Sequence, residues 1–285
     1  TALIACARIG DPTPAVWLRR VAPGAELGAL DGGRPLPRAE LAAAGRWSRL
    51  FRPAGAGALS RPQVRLGSLA RVSRGIATGA NRFFVMTRER AAELGIGAWC
   101  RPVVTDAREI LDAAGVVRDT PDRRVLLCLP ADLDRHRHPA VDAYLRTGET
   151  AQDGGHPVSA GYLCAHRRPW FALGDPRPAP ILASYMARQP PRFARNPDGL
   201  LHLNIAHGLY PRRAMSAGDI ERLAGRLDAG RDGFAGQGRT YQGGLEKFEP
   251  REMEALLVGW DVDPRQGLRD EKQVVIDLTA SSGGG

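Results

Sequence analysis

Residues 71–87 read R-V-S-R-G-I-A-T-G-A-N-R-F-F-V-M-T, a short polar loop that runs into the apolar segment Phe83–Met86. We predict that this apolar segment is a β-strand. Gly75 and Gly79 let the backbone turn tightly or approach a partner closely. Cations and hydrogen-bonding side chains accompany the glycines: Arg74, Thr78, Asn81 and Arg82. This composition favours a loop that contacts an anionic partner, although glycine and asparagine before a strand are also ordinary turn residues.

Further segments with a recognisable composition follow this loop in a fixed order. They are Arg167–Phe171 (RRPWF), Pro180–Leu182 (PIL), Met186–Asn196 (MARQPPRFARN), Asn204–Pro211 (NIAHGLYP) and Gly238–Lys247 (GRTYQGGLEK). Together, over residues 64–250, they resemble the target-recognition domain of TaqI-type adenine-specific DNA methyltransferases from restriction-modification systems. The resemblance implies an α+β fold with a curved mixed or antiparallel sheet and peripheral helices.

The resemblance also implies that double-stranded DNA is the partner. The residues expected to contact it are Arg74, Thr78, Asn81, Arg188, Arg192, His207, Arg239, Tyr241 and Lys247. Arginine suits phosphates and guanine, asparagine suits adenine in the major groove, and tyrosine can stack or bond a phosphate. The arginines around Pro190-Pro191 fit a solvated turn equally well. For His207 two roles stay open, contact with DNA or ordering of a loop.

The charge balance supports an anionic partner. The formal net charge is +9 and the isoelectric point is about 10.1, and an excess of cations favours binding to phosphates. Only Lys247 and Lys272 are lysines among the 40 basic residues, which is typical of a GC-rich genome. The choice of arginine over lysine therefore says little about recognition, whereas the net excess of positive charge does.

Neither a membrane span nor a metal site is predicted. No apolar run approaches the roughly 18 residues that cross a bilayer, and the default location is the cytoplasm. The four cysteines form no C-x-x-C pair, which argues against a zinc ribbon or a disulfide framework. Cys164-x-His166 and His136-x-His138 lack a second ligand pair at a recognised spacing.

The motifs of a methyltransferase active site are not found in the sequence. Such an enzyme needs a glycine-rich turn after a strand for S-adenosylmethionine and an (Asn/Asp/Ser)-Pro-Pro-aromatic turn for the flipped adenine. Pro190-Pro191 stands between Gln189 and Arg192, and the glycines of residues 230–244 follow no suitable strand. We expect no catalytic residue and no cofactor in this chain. The resemblance implies a catalytic domain N-terminal to Thr1, with S-adenosylmethionine as the cofactor of the parent enzyme.

The pattern along the chain suggests four regions. Residues 2–9 and 15–21 are strand-like runs around a Gly-Asp-Pro-Thr-Pro turn, so residues 1–22 are predicted to form a hairpin, the remnant of an α/β methyltransferase sheet. Residues 23–62 are interpreted as a connector and 63–258 as the DNA target-recognition domain. Residues 259–285 are interpreted as a tail, disordered at its Ser-Ser-Gly-Gly-Gly end.

Local patterns predict several elements. The predicted strands are Val64–Leu69, Arg124–Leu129, Ile181–Met186 and Leu200–Asn204, the last two joined by a turn at Asn196–Gly199. The predicted helices are Pro37–Leu50, the helix capped by Thr87, Pro139–Arg146, the helix capped by Ser216 and Pro250–Leu257. Trp170 and Phe171 are expected in the core.

The predicted function is DNA sequence recognition for site-specific adenine methylation. Two other classes stay open from the residues: a small enzyme with an unrelated active site, and a basic RNA-associated or assembly protein. The first would need a convergent set of acid and base groups, which the sequence does not reveal. The second would share the charge but not the ordered family segments.

Overall fold

The computed structural model describes residues 15–18, 34–43, 63–150, 155–241 and 245–260. The strands in these ranges are β1 (Ala15–Leu18), β2 (Arg34–Pro37), β3 (Gln63–Arg65), β4 (Ala70–Arg74), β5 (Val85–Met86), β6 (Cys100–Val104), β7 (Val125–Leu127), β8 (Ile181–Ser184), β9 (Met186–Ala187), β10 (Phe193–Arg195), β11 (Leu201–His202), β12 (Ala206–Pro211), β13 (Arg239–Thr240), β14 (Glu246–Lys247) and β15 (Leu257–Gly259). The helices are α1 (Arg38–Ala43), α2 (Leu66–Leu69), α3 (Asn81–Phe84), α4 (Arg88–Glu93), α5 (Arg108–Leu111), α6 (Pro139–Glu149), α7 (Tyr162–Ala165), α8 (Ala217–Ala229) and α9 (Pro250–Glu254).

The first large sheet is antiparallel, with strand order β10-β8-β12-β4. Helix α8 lies against β10 and helix α9 against β4. Their apolar residues, among them Leu223, Leu227 and Met253, form one core with Ile181 and Leu209 of the sheet. The helices therefore cover one face of this sheet.

The second large sheet is mixed, with strand order β11-β6-β7-β5, and β11 is parallel to β6. Strand β7 is buried at all three positions, because side chains from helices α3, α4 and α6 pack in the same core. Phe84, Ala91 and Leu145 are the fully or almost fully buried representatives of those helices.

A third apolar cluster joins the two large sheets. Val104 from β6, Ile110 from α5 and Leu182 from β8 are buried together there. The chain itself also passes between the sheets, since β11 belongs to the second sheet and β12 to the first. The loop at residues 75–80 lies where this passage meets the end of β4, because Ile76 and Leu203 form a parallel bridge.

The fold class predicted from the sequence is confirmed: helices and mainly antiparallel strands form an α+β fold. The capped helices are also where they were predicted. The Thr87 hydroxyl accepts from the Arg90 N–H at 3.1 Å, and Ser216 forms a capping box with Asp219. The buried strand at 124–129 is β7, and the helix from Pro139 is α6. Phe171 is buried and Trp170 packs at the edge of the second core.

Two local predictions need correction. Phe83 and Phe84 form the helical turn α3, and only Val85–Met86 is a strand. Strand β3 ends at Arg65, and the predicted remainder to Leu69 is the helical turn α2. Leu66 and Leu69 are buried three positions apart, as on a helical turn, and the adjacent Phe83 and Phe84 are both buried, so neither segment has the alternating burial of a strand.

The predicted pairing of strands also differs. β1 pairs with β2, a segment assigned to the connector, whereas residues 2–9 lie outside the described residues. The turn at Asn196–Gly199 follows β10, which pairs with β8, and leads to β11 in the other sheet. Trp260 is buried in the first core, so packing continues past residue 258. The ends of the predicted helix 37–50 and of the tail lie outside the described residues.

Candidate nucleic-acid interface

The loop at residues 75–80 is fixed by close contact with the chain between β11 and β12. Gly75 donates its N–H to the Ala206 carbonyl at 3.1 Å, and Ile76 donates to the His202 carbonyl at 2.9 Å. A Cβ atom on Gly75 would lie 2.1 Å from the Leu203 carbonyl oxygen, which leaves no room for a side chain. Gly79 has a φ of +81°, a conformation that favours glycine. Both glycines of the loop are therefore required by its geometry.

Arg167 supports the loop from below. Its guanidinium donates to the carbonyl of Thr78 at 2.7 Å and to the carbonyl of Ala77 at 2.5 Å, and it lies 6.0 Å from the centre of the Phe84 ring. Hydrogen bonds from a charged donor are stronger than neutral ones. Arg167 is therefore the main fixed support of the loop, and the sequence offered it only as part of a family segment.

Thr78 and Asn81 form a pair within the loop. The Thr78 side chain is buried, with 1% of its surface exposed; its hydroxyl accepts from the Ala80 N–H at 3.0 Å and donates to Asn81 Oδ1 at 2.5 Å. This places Thr78 behind Asn81 rather than at the surface. Asn81 itself is exposed, and Thr78 holds its amide in one orientation.

A cleft opens above this pair, which we call the amide cleft. It has a volume of about 510 Å³ and is lined by residues 77–82, Leu163 and Asn204. Asn81, Asn204 and Leu163 all line it, and Leu163 is 40% exposed. An amide carries both a donor and an acceptor, as the edge of a base does. The cleft can therefore offer paired hydrogen bonds next to an apolar contact.

A second group, the Glu249 cluster, consists of Arg74, Lys247, Glu249, Arg239 and Glu252. Glu249 accepts from Arg74 Nη2 at 2.6 Å and lies 2.6 Å from Lys247 Nζ, while Glu252 pairs with Arg239 at 2.9 Å. Hydrogen bonds from Lys247 and Arg74 lower the pKa of Glu249 to about 2. The structure thus brings together three predicted DNA contacts from two segments that are far apart in the sequence.

These cations stay at the surface although each has an acidic partner. The side chains of Arg74 and Arg239 are 68% and 56% exposed, whereas Lys247 is 27% exposed. Arginine carries five N–H donors and the lysine ammonium three, so one carboxylate does not use them all. Tyr241 is 47% exposed beside this cluster. The cluster can therefore offer donors to an external anion while its carboxylates hold the cations in position.

His207 lies beneath the Glu249 cluster. It is 1% exposed, its Nε2 lies 2.9 Å from the Phe248 carbonyl oxygen, and its ring stacks on Tyr185 at 4.2 Å. Burial is the main cause of its lowered pKa, so the ring is neutral at neutral pH. Of the two roles left open by the sequence, the geometry agrees with the ordering of a loop, because the ring does not reach the surface.

The arginines at 188–195 do not form one group. Arg192 pairs with Asp228 at 2.9 Å and donates to the Leu111 carbonyl at 3.3 Å, which connects β10 to α8 and α5. Arg195 pairs with Glu221 at 3.2 Å. Arg188 is exposed next to β9. Arg188 is therefore the member of this set that the fold leaves at the surface, and Arg192 has structural contacts.

Sequence reasoning missed three residues near these sites: Leu163, His202 and Asn204. Asn204 opens a segment that was quoted for the resemblance, and its carbonyl accepts from the Tyr185 hydroxyl at 2.9 Å. His202 is 2% exposed and neither ring nitrogen has a hydrogen-bond partner in the described part of the chain. No local pattern marked Leu163 or His202, since both gain their position from contacts with the loop at 75–80.

The structure also shows where the candidate metal and cofactor motifs of the sequence lie. No group of three His, Cys, Asp or Glu side chains in the described ranges is placed to hold a metal. Pro190-Pro191 lies between β9 and β10 with Gln189 bound to Arg231, and Gly230 follows helix α8 rather than a strand. Within the same ranges, no helix has the length and apolar character to cross a bilayer.

Comparison with known proteins gives the family. The family model described as the C-terminal domain of type II methyltransferase M.Eco57I matches residues 58–277. The type II methyltransferase M.XamI of Xanthomonas campestris pv. amaranthicola is 38% identical over 264 residues, which are 90% of this chain and 47% of the relative. M.AccI of Acinetobacter calcoaceticus is 28% identical over 199 residues, 67% of this chain and 35% of the relative. The chain therefore spans less than half the length of either relative.

Two solved structures are similar at low identity. The type IIG restriction endonuclease BpuSI matches with a TM-score of 0.49 and 13% identity, over 87% of this chain and 30% of that protein. The type IIL restriction-modification enzyme MmeI, solved in complex with DNA, matches with a TM-score of 0.34 and 16% identity, over 57% and 22%. The family match covers most of the chain and confirms the resemblance inferred from the sequence. The chain belongs to the family of type II methyltransferase C-terminal domains that is described by M.Eco57I.

Proposed function

We propose that this chain is the DNA target-recognition domain of an adenine-specific type II methyltransferase in a restriction-modification system. One observation carries the proposal. The loop at residues 75–80 with Asn81, and strands β13 and β14, are distant in sequence but provide a connected surface with both amides and cations. Arg74, at the start of the loop, is bound to the same carboxylate as Lys247. Such a surface has groups for reading bases beside groups for binding phosphates.

The Glu249 cluster is proposed to grip the duplex. Arg74, Arg239 and Lys247 would contact phosphates, with Tyr241 and Arg188 exposed near them. Phosphate contacts fix the register of a protein on DNA and carry no sequence information directly. Because Glu249 and Glu252 hold the cations in place, less conformational freedom is lost when the cations bind an anion.

The amide cleft is proposed to read bases. The Asn81 amide can give a donor and an acceptor to adenine in the major groove. Thr78 orients that amide by its bond to Oδ1, which is a positioning role that the sequence alone did not distinguish from direct contact. Asn204 and Leu163, which also line the cleft, would add a second amide and an apolar contact.

The methyl transfer itself belongs to the parent enzyme in this proposal. S-adenosylmethionine would supply the methyl group when bound to a catalytic domain outside this chain. The residues described here would bind and orient the duplex, and no step of the transfer is assigned to them.

The proposal is tested with Asn81→Ala in the full-length methyltransferase. Discrimination at one base pair of the recognition site should fall by roughly 1–3 kcal/mol, measured as relative methylation or binding of single-base-pair variants. Arg239→Ala is the matched control, and it should weaken all sequences alike because it removes a phosphate contact. If Asn81→Ala lowers stability and leaves specificity intact, Asn81 is a turn residue and the amide cleft does not read bases.

A further inference from the structure

A second cleft, which we call the arginine cleft, lies beside strand β4. It has a volume of about 720 Å³, and its charged lining residues are Arg71, Arg74, Arg177, Arg212 and Asp175. Strands β4 and β12 form one wall, since Arg71 and Tyr210 are paired across them. The segment at 175–177 lies against this wall, because the Tyr210 hydroxyl donates to the Arg177 carbonyl at 3.0 Å, and the buried His202 from β11 lies at the floor. The cleft thus lies between elements of the two large sheets.

Of the four arginines of the cleft, Arg71 and Arg212 are held by uncharged groups, whereas Arg74 and Arg177 each have an acidic partner. Arg71 lies over the Tyr210 ring at 5.7 Å, and Arg212 donates through Nε to the Gly67 carbonyl at 2.6 Å. Arg177 pairs with Asp175 at 3.2 Å, with both side chains about 80% exposed. A ring and a carbonyl oxygen fix a guanidinium without neutralising it. The lining therefore carries more positive than negative charge.

The floor of the cleft is a buried polar ring with no partner. His202 is 2% exposed, and neither of its ring nitrogens has a hydrogen-bond partner in the described ranges. Two glycines make room for the ring: a Cβ atom would lie 2.7 Å from it at Gly75 and 2.8 Å at Gly208. A buried polar group without a partner is costly, so it is rarely left in a core without a reason. Its place under four arginines connects it with an anionic ligand.

We propose that the arginine cleft binds a phosphoryl group, held by Arg71, Arg177 and Arg212 above the His202 ring. The guanidinium fork matches the oxygens of a phosphate and can bind two of them at once. The phosphoryl group can come from the backbone of a duplex or from a free phosphate compound. The first source deepens the proposed function and rests on it, whereas the second does not.

The test compares two double variants of the 285-residue chain that lose the same charge. Arg71→Ala with Arg177→Ala removes two cations from the cleft. Arg90→Ala with Arg137→Ala removes two exposed cations that pair only with nearby Glu93 and Asp134. Each protein is titrated with inorganic pyrophosphate and with a short duplex of random sequence at several salt concentrations.

A backbone phosphate in the cleft predicts that the salt slope of duplex binding falls by up to about 0.9 in the cleft variant, because the contacts to one phosphate are lost, and stays unchanged in the control. A free phosphate compound predicts saturable pyrophosphate binding that weakens at least about tenfold in the cleft variant alone, since a charged hydrogen bond contributes that much, while the duplex slope stays the same. The proposal is overturned if both double variants behave alike with both probes.

The failure of this proposal can be told apart from the failure of the proposed function. If the unmodified chain binds no duplex, the proposed function fails. The pyrophosphate titration of the two double variants then tests the phosphoryl site by itself. A second readout is the NMR titration of the His202 ring, whose pKa burial lowers to about 4. An anion seated over the ring favours its charged form, so bound pyrophosphate should raise that pKa. No change of the His202 titration together with no binding in either titration contradicts the cleft assignment.

Discussion

The amide cleft and the Glu249 cluster lie on the same part of the molecule but are built by different forces. The loop of the amide cleft is held by backbone hydrogen bonds, by Arg167 and by glycines without room for a side chain. The Glu249 cluster is held by ion pairs between exposed cations and two carboxylates. Directional bonds and steric contact fix a shape, whereas exposed ion pairs respond to salt and pH.

This difference suggests a division of work. Base reading needs groups held within a fraction of an ångström, which the packed loop provides. Phosphate binding tolerates some movement, because a charge acts over a longer distance than a hydrogen bond. In the proposed function, the tightly packed amide cleft would therefore contact bases, and the ion-paired Glu249 cluster would bind phosphates.

The largest effect on the free energy of unfolding is expected for Gly75→Ala, which would distort the backbone of the loop. The new Cβ would lie 2.1 Å from the Leu203 carbonyl oxygen, so the backbone of β4 or of residues 203–206 must move. We expect a loss of about 3 kcal/mol or more in the free energy of unfolding, measured by denaturant titration. Gly225→Ala is the control, since no atom lies within 4 Å of its Cβ position in helix α8.

The Gly225→Ala change should stabilise the protein by about 0.5–1 kcal/mol, because alanine favours the helix more than glycine does. Equal effects of the two changes would show that Gly75 tolerates a side chain. The description of the loop as sterically fixed would then be wrong.

The next largest effect is expected for Arg167→Ala, which removes the support under the loop. Two charge-assisted hydrogen bonds to the carbonyls of Ala77 and Thr78 are lost. We expect a destabilisation of about 2 kcal/mol that changes little with salt, since the contact is partly buried. The neighbouring Arg168→Ala is the control, and it should cost less than about 0.5 kcal/mol, because Arg168 is exposed and bonds only nearby carbonyls. A loss that disappears at high salt would instead place Arg167 among the electrostatic contacts.

The smallest effect is expected for Glu249→Gln, which discharges the centre of the Glu249 cluster. The amide oxygen can still cap helix α9, so the change removes mainly the charge. We expect a loss of about 0.5–1 kcal/mol at neutral pH, less at high salt, as is usual for exposed ion pairs. Glu93→Gln, which removes an ion pair with Arg90 on helix α4, is the control and should have a smaller effect.

The pH dependence gives this prediction its sign. The pKa of Glu249 is about 2 in the folded protein, below its ordinary value of 4.5. Its stabilisation is therefore complete above about pH 4.5 and is lost as the pH falls towards 2. Thermal unfolding measured over this window should show a shallower decline for Glu249→Gln than for the unmodified protein. Parallel curves for the two proteins would mean that Glu249 does not hold Arg74 and Lys247 in solution.

The sequence predicted the starts of helices better than the partners of strands. Thr87 and Ser216 begin their helices as expected, because a cap is a bond between residues three positions apart. Strand β1 pairs with residues 34–37, and the chain after Gly199 continues into the second sheet. No short-range sequence pattern predicts either pairing. Pairing depends on which apolar faces are covered by elements far away in the chain.

In the candidate site, too, the sequence predicted local features better than long-range contacts. The segments that would form it were named from the sequence, but the roles within them were not separated. Thr78 and His207 are buried and act behind the surface, whereas Asn81 and Arg74 are exposed. Residues next to each other in one loop can face opposite sides, and the side depends on tertiary packing.

By itself, the sequence determined the family, the α+β class, the positive charge and the segments that would meet DNA. These properties depend on composition, on short-range patterns and on the order of motifs. Only the tertiary structure decided that Arg74 and Lys247 bind one carboxylate, that Arg167 supports the loop, and that His202 lies under four arginines. Each of those contacts joins residues that are many positions apart, and such contacts form because burial and hydrogen bonding are satisfied over the whole fold at once.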